Sequence, residues 1–180
     1  MEVIRFRKWE LESDTESTRR AYSAVTGGAE SCSEEVCQNF AQARREAYPP
    51  EALALFKALG IDFRKEAETF HNMRVSRDMV QVWRAAGRPT TDSVVGLHHH
   101  GGWFHFVGRV LEGPDCFTPL KRGKGWSVEL EAITDRFSLG FSGTHAVLVR
   151  DPFKRKPVVQ AEFEAMVPWV LQAPEPVDVK

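Results

Sequence analysis

Apolar positions recur along this chain with two different periods, and the period changes near its middle. From Ser31 to Gly87 they return every three to four residues, the spacing of one face of a helix. From Val94 to Val167 they largely alternate, the spacing of a half-buried strand.

In the first part, Val36, Phe40, Ala43 and Ala47 give a helix one apolar face. Ser31 is placed as its cap, with Glu34 three residues on to close a capping box. Ala52, Leu55, Phe56 and Leu59 form the stripe of a second helix, opened by Pro49-Pro50 and stopped by Gly60, with Ile61 folding back as an apolar lock. Asp62 can cap a short third helix ending at Phe70. His71 then sits at a helix end as a capping cation. Ser76 caps a fourth helix running to Gly87, stapled by Val75 and Val80, and Met79, Val80, Trp83 and Ala86 are its inner face. Residues 1–30 are the least defined, although Thr15 to Val25 suits a helix ending at the flexible Gly27-Gly28.

In the second part, Val94 to Leu111 reads as two strands meeting at a Gly101-Gly102 turn, since paired glycines accept the positive φ of a tight hairpin. Further strands are Trp126 to Ile133, Phe137 to Val149 broken near Ser142-Gly143, and Val158 to Val167. The loop Glu112 to Gly125, with its basic run Lys121-Arg122-Gly123-Lys124, is rich in Gly, Pro and charge and crosses the surface. The tail after Trp169 is Pro-rich and frays. The class implied is α+β, with the N-terminal helices packed on one face of a C-terminal antiparallel sheet of about five strands.

The hairpin holds four of the six histidines. With the turn at Gly101-Gly102, His98 pairs with His105, and His100 lies two residues from His98 on the same face. Three imidazoles so placed can hold a zinc ion and leave a position for water. The other reading is a solvated or partner-binding face, with Trp103 and Arg109 beside the histidines and with Glu129, Glu131, Gln160, Glu162 and Glu164 available as neighbours. A one-residue shift of the turn would send His98 and His105 to opposite faces.

Length and composition narrow the setting. One domain of 180 residues is long enough for a sizeable core. A net charge of -1 gives no electrostatic reason to expect nucleic acid or an anionic membrane as partner. The charged N-terminus has no apolar leader and no run approaches membrane-spanning length, so a cytoplasmic protein is expected. Three cysteines do not make a disulfide framework. In one continuous helix from Ser31 the side chains of Cys32 and Cys37 turn away from each other, which leaves two packed thiols. A shared zinc ion on Cys32 and Cys37 requires Cys32 to precede the helix. Cys116 reads as an incidental thiol in a loop. No phosphate-binding glycine loop, nucleophile elbow or metalloprotease motif is present, and Ser142 and His145 stand too close in sequence for a nucleophile and base.

The strings Cys37-Gln38-Asn39-Phe40, Leu59-Gly60-Ile61-Asp62 with Lys65, and Gly102-Trp103-Phe104-His105-Phe106-Val107-Gly108, together with Tyr48-Pro49, Glu68 and Val167-Pro168-Trp169, resemble a family of small uncharacterised bacterial proteins. The resemblance spans Cys32 to Trp169. It differs in the cysteine spacing, three residues in that family and five here, and implies a bacterial single-domain protein without a settled activity.

Two functions follow from these features. One is a non-catalytic binding protein, such as an immunity protein that neutralises a cognate toxin, with Trp103, Arg109, Glu129 and Glu131 at the interface. The other is a zinc-dependent hydrolase or hydratase built on His98, His100 and His105.

Overall fold

The computed structural model describes residues 1–120 and 125–176. The basic run Lys121-Arg122-Gly123-Lys124 and the end of the tail, Val177 to Lys180, lie outside the described residues.

A hairpin of β1 (Glu2–Phe6) and β2 (Trp9–Ser13) opens the chain. Helices α1 (Thr15–Ser23), α2 (Gly28–Ser31), α3 (Glu35–Ala47) and α4 (Pro50–Leu59) follow, then β3 (Glu68–Arg74), α5 (Arg77–Ala85) and the long β4 (His98–Glu112). The remaining strands are β5 (Phe117–Pro119), β6 (Trp126–Val128), β7 (Glu131–Ala132), β8 (Phe137–Ser142) and β9 (Val158–Val167). Seven of them form one antiparallel sheet in the order β1-β2-β4-β9-β8-β7, with β3 also paired to β4, while β5 and β6 pair separately. The class is α+β, with helices gathered in the N-terminal half and more strands than the five expected.

Three corrections change the strand count. Residues 1–30 begin with a hairpin, in which Trp9, Leu11 and Ser13 are buried and alternate with the less buried Glu10 and Glu12. No helix runs from Asp62 to Phe70; a turn over Asp62 to Lys65 leads into β3, and His71 lies mid-strand opposite His100. Gly101-Gly102 is not a turn. β4 passes straight through it, paired to β9 without a break from His98 opposite Val167 to Val107 opposite Val158. Trp126 to Ile133, by contrast, divides between the two sheets as β6 and β7.

The two glycines serve packing. A β-carbon on Gly102 would fall 2.5 Å from the Glu68 carbonyl oxygen and 2.8 Å from the Phe163 ring, and one on Gly101 would fall 2.6 Å from the Phe70 ring. The first contact faces the helices and the second faces away from them.

Helices α3 and α4 bury one face of the sheet. Phe40 of α3 stacks on Phe163, and Phe56 of α4 packs on Phe104 at 5.0 Å between ring centroids. Tyr48 joins the two helices to the sheet through edge contacts with Phe56, Phe137 and Phe163. Beneath them Arg44 and Glu66 form a buried ion pair at 3.1 Å. Helix α1 fills a gap on the β4 edge between β3 and β2. There the Tyr22 hydroxyl donates to the His105 carbonyl at 2.9 Å, and Thr18 Oγ1 accepts from the Val107 N–H at 3.0 Å. Backbone groups that lack a neighbouring strand thus find side chains instead.

The cysteines also depart from expectation. Cys32 is the cap that ends α2, in extended conformation, and α3 starts only at Glu35 without a side-chain cap, so no capping box joins Ser31 to Glu34. The break in the helix brings Cys32 and Cys37 together as a disulfide with Cα atoms 5.9 Å apart. Among the described residues no helix is long and apolar enough to cross a membrane.

Candidate functional site

Strict alternation along β4 sorts its side chains. His98, His100, Gly102, Phe104 and Phe106 face α3 and α4; His99, Gly101, Trp103 and His105 face the other way. His98 and His105 are seven residues apart, an odd number, so the three predicted zinc ligands are divided between opposite faces. The shared face expected for His98, His100 and His105 depended on the absent hairpin turn.

On the helix side, His98 is buried and bonded at both ring nitrogens, to His71 Nε2 at 3.0 Å and to Glu175 at 2.9 Å. His100 stacks on Phe40 with centroids 4.6 Å apart, and burial together with the neighbouring histidines pushes its pKa down to about 3. On the opposite side, His105 lies near Phe153, and burial lowers its pKa to about 4 despite the nearby Gln160. Both are neutral imidazoles at physiological pH.

The face turned away from α3 and α4 is polar where the other is aromatic. It carries Trp103 and His105 from β4, Gln160, Glu162 and Glu164 from β9, Ser138 and Gly140 from β8, and Phe70 from β3. One end is closed by α5, whose Trp83 meets His99 edge-on at 5.5 Å. Just beyond α5, Arg88 pairs with Glu164 at 2.7 Å. The segment around β5 closes part of the rest, with Cys116 packed over Gly140. Between these covers lies a cleft of about 540 Å³ lined by Arg88, Glu129, Glu131, Ser138 and Glu164. A larger cleft of about 670 Å³ between α1 and α4 has the core residues Tyr22, Phe56 and Ile61 in its wall, and no sequence-predicted site residue lines it.

Two carboxylates of this face differ through their surroundings. Glu162 is 8% exposed, and burial raises its pKa to about 7 against the pull of a 2.8 Å hydrogen bond from Gln160 Nε2. Glu164 is also held up by burial, but His99 and Arg88 outweigh that and lower its pKa. Burial pushes the Cys116 thiol up to about 12, and the Ser142 hydroxyl donates to Asp115 at 2.9 Å and accepts from the His145 backbone N–H at 2.9 Å. His145 packs its ring against Phe117 and Trp126.

Of the predicted partner-binding residues, Trp103 is half-buried on this face, 6.4 Å from the partly exposed ring of Phe70. Glu129 is exposed in the cleft, and Glu131 lines it while pairing with Arg7 and Lys8. Arg109 is exposed and lines a separate cleft with Asp115 and Thr144. Phe70, Arg88 and Ser138 were not anticipated. Phe70 was hidden by the helix expected there, whereas the Gln160, Glu162, Glu164 alternation was a readable sign of a polar face. Cys32, Glu34 and Cys37 place their ligating atoms within 4.8 Å of one another on a different part of the molecule. Comparison of the chain with models of protein families, with curated proteins and with solved structures finds no match.

Proposed function

We propose that this chain is a binding protein without catalytic activity of its own, and that a polypeptide partner docks along β3 and the adjoining polar face of the sheet. One observation carries the reading. β3 pairs with β4 alone among the described residues, so beyond its start, where α2 packs against Glu68 and Thr69, no described strand covers its outer edge, and it carries Phe70, 43% exposed, beside the half-buried Trp103.

An open strand edge offers a partner main-chain hydrogen bonds, and an adjacent aromatic pair offers side-chain anchorage. The edge strand is also irregular: its register with β4 slips between His71 and Met73, leaving Asn72 as an exposed bulge. Bulges on edges discourage indiscriminate pairing while leaving a shaped partner room to dock. The ion pair Arg88–Glu164 supplies the polar surroundings that usually rim such an anchor. A toxin neutralised by an immunity protein is one partner of this kind.

The test places a photoactivatable cross-linker at Asn72, and at Val3 on the outer strand β1 as control, in cells that make the protein. The captured polypeptide is then purified and its affinity measured for the wild type and for Phe70→Ala. A partner that cross-links at Asn72 and not Val3, and that binds Phe70→Ala roughly tenfold more weakly, is expected. Equal cross-linking at both sites, or unchanged affinity, would overturn the reading.

A further inference from the structure

We propose that Cys32, Glu34 and Cys37 form a metal site that opens when their disulfide is reduced, and that it takes a soft divalent ion of the zinc type. This goes beyond the binding reading and does not depend on it.

Three observations meet at this place. First, the two sulfurs and a Glu34 carboxylate oxygen lie within 4.8 Å of one another. Ligands about 2.0–2.3 Å from a tetrahedral zinc ion are separated by roughly 3.3–3.8 Å, so the group needs only small adjustment to surround one. Second, the backbone that presents it is tied down on both sides. Cys32 caps the end of α2 through its N–H bond to Ala29, Cys37 lies in the first turn of α3 with its N–H on the Glu34 carbonyl, and Gln38 Nε2 holds the Ser33 carbonyl at 3.1 Å. Third, α3 begins without a side-chain cap, so the positive end of its dipole faces three ligands that are anionic when a metal is bound.

Access is consistent with exchange. Glu34 is exposed and Cys32 half-buried, while Cys37 is buried. That leaves the fourth coordination position on the solvent side.

The chemistry balances in two steps. A dithiol or low-molecular-weight thiol reductant gives two electrons and two protons to the Cys32–Cys37 bond and is itself oxidised to a disulfide. A divalent ion then displaces the two thiol protons and bonds to both thiolates and to the Glu34 carboxylate. Metal and disulfide use the same sulfur atoms, so each state excludes the other. Two thiolates and one carboxylate suit zinc or cobalt better than magnesium or calcium, which prefer all-oxygen sites.

The test uses the full chain without a polyhistidine tag and cobalt(II) as the probe. After reduction and removal of the reductant under anaerobic conditions, one cobalt per chain is expected, with thiolate-to-cobalt charge-transfer absorption and the intense visible bands of a tetrahedral ion. Both are lost in the oxidised protein and in Cys32→Ser and Cys37→Ser. Glu34→Gln weakens binding at least roughly tenfold, the loss that even an outer-shell partner brings. Cys32→Ser serves as the folding control because Cys32 is only half-buried. Absence of the thiolate band in the reduced wild type, its survival in either serine variant, or unchanged affinity in Glu34→Gln would overturn the proposal.

Discussion

Gly102 and Phe163 face each other across the middle of the sheet, and the Phe163 ring occupies the space that a side chain on Gly102 would need. A β-carbon there would also meet the Glu68 carbonyl, a backbone atom that cannot swing aside. Gly102→Ala is therefore expected to destabilise the fold by about 1–3 kcal/mol through overpacking. Gly101→Ala meets only the ring of Phe70, which is partly exposed and free to turn, and costs less. Urea unfolding of the two variants checks the order; equal losses would show that glycine is needed there for backbone freedom and not for space.

The same pair of glycines shows why the central strand was misread. A strand buried on both faces loses the alternation that marks a half-buried one, and β4 is buried without interruption from His98 to Phe106 apart from Trp103. With alternation gone, Gly-Gly was the strongest local cue, and it pointed to a turn. The real reason for glycine, room for Phe163 and for the Glu68 carbonyl, exists only once distant segments have come together.

Elsewhere legibility followed how many faces an element buries. α3 and α4 each carry an apolar stripe against the sheet, and their spacing was readable along with the Gly60 stop, which sits at φ 81°, whereas of the inner face expected for α5 Val80 is buried, Met79 and Trp83 are half-buried and Ala86 is exposed. In β1 and β2 the alternation Ile4, Phe6, Trp9, Leu11 was present but obscured by the charges between. The polar face was legible from Gln160, Glu162 and Glu164. Its other contributor, Phe70, was not, because Glu68 to Arg74 has neither clean period.

Tyr22 substitutes for a strand. Its hydroxyl donates to the His105 carbonyl at 2.9 Å and accepts from the His105 N–H at 3.3 Å, on the edge where β4 has no neighbouring strand between β3 and β2. Tyr22→Phe keeps the ring against Phe153 and removes only the oxygen. It leaves buried backbone groups unpaired and is expected to cost about 1–3 kcal/mol. Hydrogen exchange should quicken at His105. Protection unchanged there would show that the hydroxyl is not what protects this amide.

The C-terminal segment is held by two clasps of unequal strength. Asn39, fully buried, donates to the Pro168 carbonyl at 2.9 Å and accepts from the Val170 N–H at 2.7 Å. Farther along, Glu175 accepts from His98 Nε2 and pairs with Arg74, and although burial works against it these partners lower its pKa. An ionised Glu175 only accepts, so His98 Nε2 carries a proton toward it. Asn39→Ala should release residues 168–176 to proteolysis and cost about 1–3 kcal/mol, whereas Glu175→Ala frays the end and costs less. Limited proteolysis followed by mass spectrometry reads the difference. Equal release by both variants would mean that the two clasps hold equally.

Glu162 makes stability depend on pH in a window set by its own shift. In the unfolded chain it ionises near 4.5; in the folded protein burial raises this to about 7. Between those values the folded protein binds more protons than the unfolded one, so stability falls as pH rises through the window and levels off above about 7. The stabilisation present below about 4.5 and lost above about 7 is on the order of 3 kcal/mol. Glu162→Gln is neutral throughout, and its Oε1 still accepts from Gln160 in place of the carboxylate. The variant should therefore lack this part of the slope and be the more stable protein at about pH 8, with little difference at about pH 4. Glu66 is also raised to about 7 by burial beside Arg44, but it titrates in both proteins and cancels from the comparison. Urea midpoints across this range decide the matter: parallel curves for the two proteins would mean that Glu162 keeps an ordinary carboxylate pKa, with water reaching it beneath Cys116 and Leu130.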